Sequence, residues 1–202
     1  MAKANSIAPF PPDIDRNAFG NWLSGFTDGE GCFTLKKVAS RRYPGGFCPA
    51  AGFRIVLRAD DGPVLLLAQS FWNCGRLILR AGKPPSRRPN AKPQSSFRIE
   101  VMQDLASVIV PHFEKYPLRA KKAADFVIWR QAVLLAWRVQ QRFQGRVRST
   151  GRGVWATKWA LTEKKEFSSL VDALSHQRRF DASLVRPFPA PTEPTLLDGL
   201  SF

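Results

Sequence analysis

Between Asp15 and Arg42 the hydrophobic period of the chain changes once, at the tract TDGEG (residues 27–31). Upstream, Phe19, Trp22, Leu23 and Phe26 recur at the i, i+3, i+4, i+7 spacing of an amphipathic helix, and Asp15 or Asn17 stands where a cap is needed. Downstream, CFTLKKVASRRY alternates. Lys36, Val38, Ser40 and Arg42 fall on one face, Leu35 and Lys37 on the other. Glycines 29 and 31 end the helix. A helix therefore runs directly into a strand, through two acids held between glycines.

The remaining periods extend this pattern. GFRIVLR (residues 52–58) sets Arg54, Val56 and Arg58 on one side, and the YPGGF turn before it closes a hairpin or a longer loop. ADDGPVLLLAQSFWN (59–73) reads as a helix with Asp60 or Asp61 as cap and Pro63 in its first turn. CGRLILRAG and SSFRIEVM are two more strands, joined by the basic, Pro-rich loop KPPSRRPNAKPQ. QDLASVIVPHFEKY and RAKKAADFVIWRQAVLLAWRVQQRF have helical period, and LTEKKEFSSLVDALSHQRR closes the series with Thr162 as N-cap. Hairpin-paired strands between helices predict an α+β fold, an antiparallel sheet with helices on one face. The domain is expected over residues 15–180, after a flexible Pro-rich arm (1–14) and before a Pro-rich tail (181–202).

Charge indicates what the bare sheet face meets. The chain carries 31 Lys and Arg against 16 Asp and Glu, a net charge of +15. Residues 32–100 hold 13 of the basic residues and only three acids, Asp60, Asp61 and Glu100. A field of this sign suits a polyanion, most simply nucleic acid; a solvated surface or attraction to an anionic membrane are the plainer readings. Lys36, Arg42, Arg54, Arg58, Arg76, Arg80 and Arg98 are the candidates for the open face. A twisted basic sheet fits the major groove, so double-stranded DNA is the expected partner. Arg87 and Arg88, in the SRRPNAK loop, and the RVRSTGRG segment are expected on phosphates rather than base edges.

No run approaches the ~18 apolar residues of a membrane span. The N-terminus lacks the apolar core of a secretory signal, and three cysteines without metal-ligand spacing read as reduced thiols. An intracellular protein is expected, in a bacterial cytoplasm or an organelle. His112 and His176 are too few and too far apart for a His-based or zinc motif, and His112 is expected on a helix surface or at an interface. Phe126, Trp129, Val133 and Trp137 share helical spacing and read as core, and Trp155 and Trp159 are expected to pin the last helix.

The two acids are the odd feature. A helix C-terminus carries about half a negative charge and unpaired carbonyls, so a carboxylate there is poorly placed for stability. It is well placed to hold a hard cation with oxygen ligands, Mg²⁺ above all. Taken alone, a DGxG string is more often a solvated helix end. Here it precedes a basic sheet, and no competing site exists in the chain. If the polyanion's phosphodiester is what reacts at such an ion, both of its oxygens are best clamped, and one tract per chain then implies two chains. Gly25 and Gly29, four apart, would let a second helix approach closely. A symmetric homodimer and a pseudo-palindromic target follow.

LSGFTDGEG (Leu23–Gly31) resembles the signature of the LAGLIDADG homing endonucleases nearly position for position, with Ser24 in place of the first Ala. HFEKYPLRAKKAADFVIW and GVWATKWALTEKKEFSSL are similar to later segments of the family, so the resemblance covers roughly residues 15–175. It implies the αββαββα core with a saddle-shaped sheet, and a divalent-metal-dependent, site-specific DNA endonuclease making staggered cuts across the minor groove. Mg²⁺ would be the cofactor, with Mn²⁺ able to substitute and Ca²⁺ able to bind without supporting cleavage. Glu30 would be the metal ligand, aided by the Gly29 carbonyl, and Lys121 or Lys122 the basic residue near the scissile phosphate. Arg58 would stand where the family usually has a polar, water-orienting residue. Asp28 would be structural, and Trp22, Gly25, Asp28 and Gly29 would lie at the dimer contact. The alternative on the same fold is a non-cleaving DNA-binding regulator or an intron RNA maturase. A plain RNA-binding domain is disfavoured, since no such pattern is present and the acids would serve no purpose.

Overall fold

A computed structural model describes residues 7–39, 45–79, 92–142 and 159–179. Helix α1 (Arg16–Glu30) starts at Asp15, whose carboxylate accepts the Ala18 N–H at 2.6 Å, and runs without a break into strand β1 (Gly31–Ala39). Strand β2 (Phe47–Arg58) returns antiparallel, Gly31 opposite Ile55 through to Ala39 opposite Phe47. A 3-10 turn (Ala59–Asp61) leads to α2 (Gly62–Trp72), then β3 (Arg76–Ile78) and β4 (Gln94–Ile99). The antiparallel sheet has the order β1-β2-β4-β3. Helix α3 (residues 102–115) contains a π-helical stretch, Leu105–Ile109, and is followed by α4 (Lys122–Gln141) and α5 (Leu161–Gln177). Among the described residues no helix is long and apolar enough to cross a membrane.

One sheet face is the core. Phe33, Phe53, Ile55, Phe97 and Ile99 are buried there against Leu105, Ile109, Phe113, Trp129 and Val133 of the helices. The Phe33 ring lies 5.0–5.6 Å from the rings of Phe53, Phe113, Phe126 and Trp129. Each such pair adds about 0.5–1.5 kcal/mol beyond its area. Period two then sends Lys36, Arg54, Arg76 and Arg98 to the opposite face, as the sequence requires.

The structure departs from the sequence expectations at several points. The buried stripe of α1 is Gly20, Leu23, Ser24 and Thr27; Phe19 and Phe26 are half-buried and Trp22 is 46% exposed. Small residues win because α1 lies against the Tyr116 ring, which a Cβ at Gly20 would approach to 2.5 Å. The described part of the N-terminal arm is docked rather than loose. Phe10 packs 5.1 Å from Phe19 and 5.3 Å from Phe71, and the Arg16 guanidinium sits over both the Phe10 and Phe71 rings. Asp61 is the N-cap residue of α2, one of the two expected, but it makes no side-chain capping bond, and Asp60 is taken by Arg58. Ala160, not Thr162, is the N-cap of α5; Glu163 reaches back and accepts the Ala160 N–H at 3.0 Å. His112 is buried, 6% exposed, because the helix carrying it turns inward beneath α1 and α2.

Candidate active site and nucleic-acid interface

The TDGEG tract separates its acids. Thr27 is fully buried, and a Cβ at Gly31 would lie 2.4 Å from the Thr27 Cγ2, so only glycine lets α1 turn into β1 this tightly. Asp28 Oδ2 accepts the backbone N–H groups of Arg119 (2.7 Å) and Ala120 (3.1 Å), which open the turn into α4. Lys122 lays its ammonium on the last carbonyls of α1, donating to Asp28 O at 2.6 Å and Gly29 O at 2.9 Å. That positive charge offsets the negative pole of the helix. Glu30, one residue further on, is exposed and has no hydrogen bond or ion pair among the described residues. Of the two acids one is bonded into the fold, and the other stands free of partners among the described residues.

This geometry sorts the other expected site residues. Gly29 contributes its carbonyl to Lys122, and Asp28 uses Oδ2 within its own chain while its Oδ1 is buried without a partner among the described residues. Lys121 is exposed, whereas Lys122 is half-buried and engaged. Arg58, at the end of β2, is bonded through two guanidinium nitrogens to Asp60, one contact at 3.0 Å, so its charge is locally neutralised. Trp22, Gly25 and Gly29 share the open face of α1, where a Cβ at either glycine would meet nothing within 4 Å.

The open sheet face carries an arginine row. In register across the strands stand Arg54 on β2, Arg98 on β4 and Arg76 on β3. Like charges directly opposite cost stability, about 0.2–1 kcal/mol per pair. The Arg98 Nε is also buried without a hydrogen-bond partner. Among the described residues no ion pair or hydrogen bond offsets this arrangement; an anion laid across the row would. Lys36 on β1 is exposed on the same face, opposite Ala50 and four residues along the strand from Cys32, which opposes Arg54. Ser40, Arg42, Arg80, Arg87 and Arg88 lie outside the described residues.

Sequence reading missed one buried polar contact. Ser24 donates its hydroxyl to Tyr116 O at 2.7 Å and lies 3.3 Å from the His112 Nε2. The hydroxyl that replaces the motif's alanine is thus used to satisfy a buried imidazole. The His112 ring is walled by Trp72, Phe71, Phe113 and Tyr116. Burial, helped by Lys115, pushes its pKa down to about 4. No local signal in the sequence pairs position 24 with position 112.

A helix ending in a carboxylate with no partner among the described residues, running into a basic antiparallel sheet, defines the class: an α+β protein with one open, cationic sheet face. The sequence profile of the LAGLIDADG endonuclease family matches residues 23–133, and the chain belongs to that family. Among its relatives, a probable intron-encoded endonuclease 2 of Neurospora crassa is 34% identical over 57% of this chain and 24% of the relative. An uncharacterized 50.9 kDa protein in ND4 intron 1 of Podospora anserina is 30% identical over 56% of this chain and 23% of the relative. Among solved structures, the meganuclease I-SmaMI bound to cleaved DNA superposes with a TM-score of 0.59 at 20% identity, over 85% of this chain and 50% of that one. I-SmaMI bound to uncleaved DNA in the presence of calcium ions gives 0.58, also at 20% identity, over 78% and 45%. These structures share the fold. The chain spans about a quarter of the length of the curated relatives it matches and about half that of the solved structures.

Proposed function

We propose that this chain is a divalent-metal-dependent endonuclease that cuts a specific double-stranded DNA site as a symmetric pair of copies. The observation that carries the reading is the exposed Glu30 carboxylate at the end of α1, without a partner among the described residues, on a helix end that Asp28 Oδ2 and Lys122 tie to the turn into α4. The donor set fits a hard ion, but only as half a site. Among the described residues no group of three or more His, Cys, Asp or Glu is gathered to hold a metal. Glu30 gives one oxygen ligand per chain, and Gly29 O keeps a second lone pair beside the Lys122 bond. Water, phosphate oxygens and a second Glu30 would complete the shell. A bound Mg²⁺ would neutralise charge developing on the scissile phosphate and make water a better nucleophile.

The chain's own residues do the rest. The open α1 face of Trp22, Gly25 and Gly29 would seat the same helix of a second copy, bringing two Glu30 side chains together. Lys121, exposed near the helix junction, is the lysine left to approach the scissile phosphate, because Lys122 holds the helix end. Arg54, Arg76, Arg98 and Lys36 would lie in the major groove beside the cut, where bidentate arginine–guanine contacts give sequence preference.

The test is selection of cleaved sites from a random duplex library in Mg²⁺, Mn²⁺ or Ca²⁺. Recovery of one long, pseudo-palindromic site cut in Mg²⁺ and Mn²⁺, and bound but intact in Ca²⁺, is expected. Site-selective binding without cleavage in any of the three ions would overturn the nuclease reading in favour of a DNA-binding regulator.

A further inference from the structure

One carboxylate stands on the basic sheet face with no assigned role. Glu100 follows β4 two residues after Arg98, so period two puts it on the same side, and it is exposed. It lies over Gly52 of β2. A Cβ at Gly52 would come to 3.0 Å from Thr34 Oγ1 and 3.6 Å from the Glu100 Cγ, so the missing side chain leaves a dip between them. Thr34, Lys36, Arg54 and Arg98 line that dip with Glu100. It opens into a groove of ≈ 480 Å³ bordered by Val38, Ala50 and Met102. Cations therefore surround the carboxylate, yet it forms no ion pair or hydrogen bond among the described residues. Its acceptor lone pairs stay directed at whatever fills the groove.

An acid here works against phosphate binding, so it has no place among the backbone contacts. A carboxylate only accepts hydrogen bonds. Guanine and thymine present acceptors in the major groove and would repel it. Adenine presents an acceptor, N7, beside its amino group. Cytosine alone presents a bare amino donor. Resting on the DNA-binding reading above, we propose that Glu100 is a specificity-determining residue that reads a cytosine amino group in the major groove, with Lys36 and Arg54 holding the flanking positions.

The experiment is selection of bound duplexes from a randomised library by the full chain, in parallel for wild type, Glu100→Gln and Glu100→Ala. Wild type is expected to show a C·G preference of about tenfold at one position, mirrored if two copies bind. Glu100→Gln should move that preference to A·T, since Gln pairs with adenine N6 and N7, and Glu100→Ala should flatten it. Both should leave the other positions unchanged. Base profiles identical to wild type in both variants would overturn the assignment of Glu100 alone. Absence of any selected sequence for wild type would overturn the DNA-binding reading itself, and this inference with it.

Discussion

Glu30→Gln is expected to slow DNA cleavage about a thousandfold while leaving DNA affinity and thermal stability near wild type. The direction follows from what Glu30 does not touch. Among the described residues its carboxylate makes no hydrogen bond or ion pair that Gln would lose, so the described fold does not lean on its charge. On the proposed function, what Gln removes is the anionic oxygen that would hold an ion at the scissile phosphate. Single-turnover cleavage and gel-shift affinity at matched salt separate the two. An equal loss of affinity and rate would mean that Glu30 contributes to binding, not to the chemical step. Asp28 makes the contrast. Its substitution strips two N–H groups of their acceptor at the turn into α4, so it should register in stability first.

The second large effect is acid destabilisation through His112. Its folded pKa, pushed down to about 4 by burial and by Lys115, lies below the ordinary value of 6.5. Neutral His112 therefore contributes stability that is fully present above pH 6.5 and is lost as pH falls through 4. The shift corresponds to about 3 kcal/mol. His112→Phe fills the same aromatic box among Trp72, Phe71 and Phe113 without titrating. Denaturant unfolding at pH 7.5, 5.5 and 4 should show wild type losing about 3 kcal/mol more than the variant across that range. Parallel losses in the two proteins would assign the acid sensitivity to other groups.

How much of this was legible in the sequence depends on the range of the interaction. The start and end of α1 follow from Asp15 and from glycines 29 and 31, all local to the helix. The face of each described sheet arginine follows from period two alone, and the same parity puts Glu100 beside Arg98. The different fates of Asp28 and Glu30 are not local. They are set by backbone N–H groups arriving from 91 and 92 residues away. The same holds for His112, buried because α3 packs its ring beneath Ser24, and for the inward stripe of α1, chosen by Tyr116. Arg58 read as a basic residue on the open face; an aspartate two residues on claims it, a short contact that alternation hides.

In the proposed reaction each cutting event would use two Glu30 carboxylates, one from each of two copies. The most direct measurement mixes wild type with Glu30→Gln at constant total protein, follows double-strand cleavage of a selected duplex, and varies the wild-type fraction. Cleavage falling as the square of that fraction, to about one quarter in an equal mixture, is what paired copies predict. A linear fall, to about one half, would show that a single chain cuts both strands and would contradict the account.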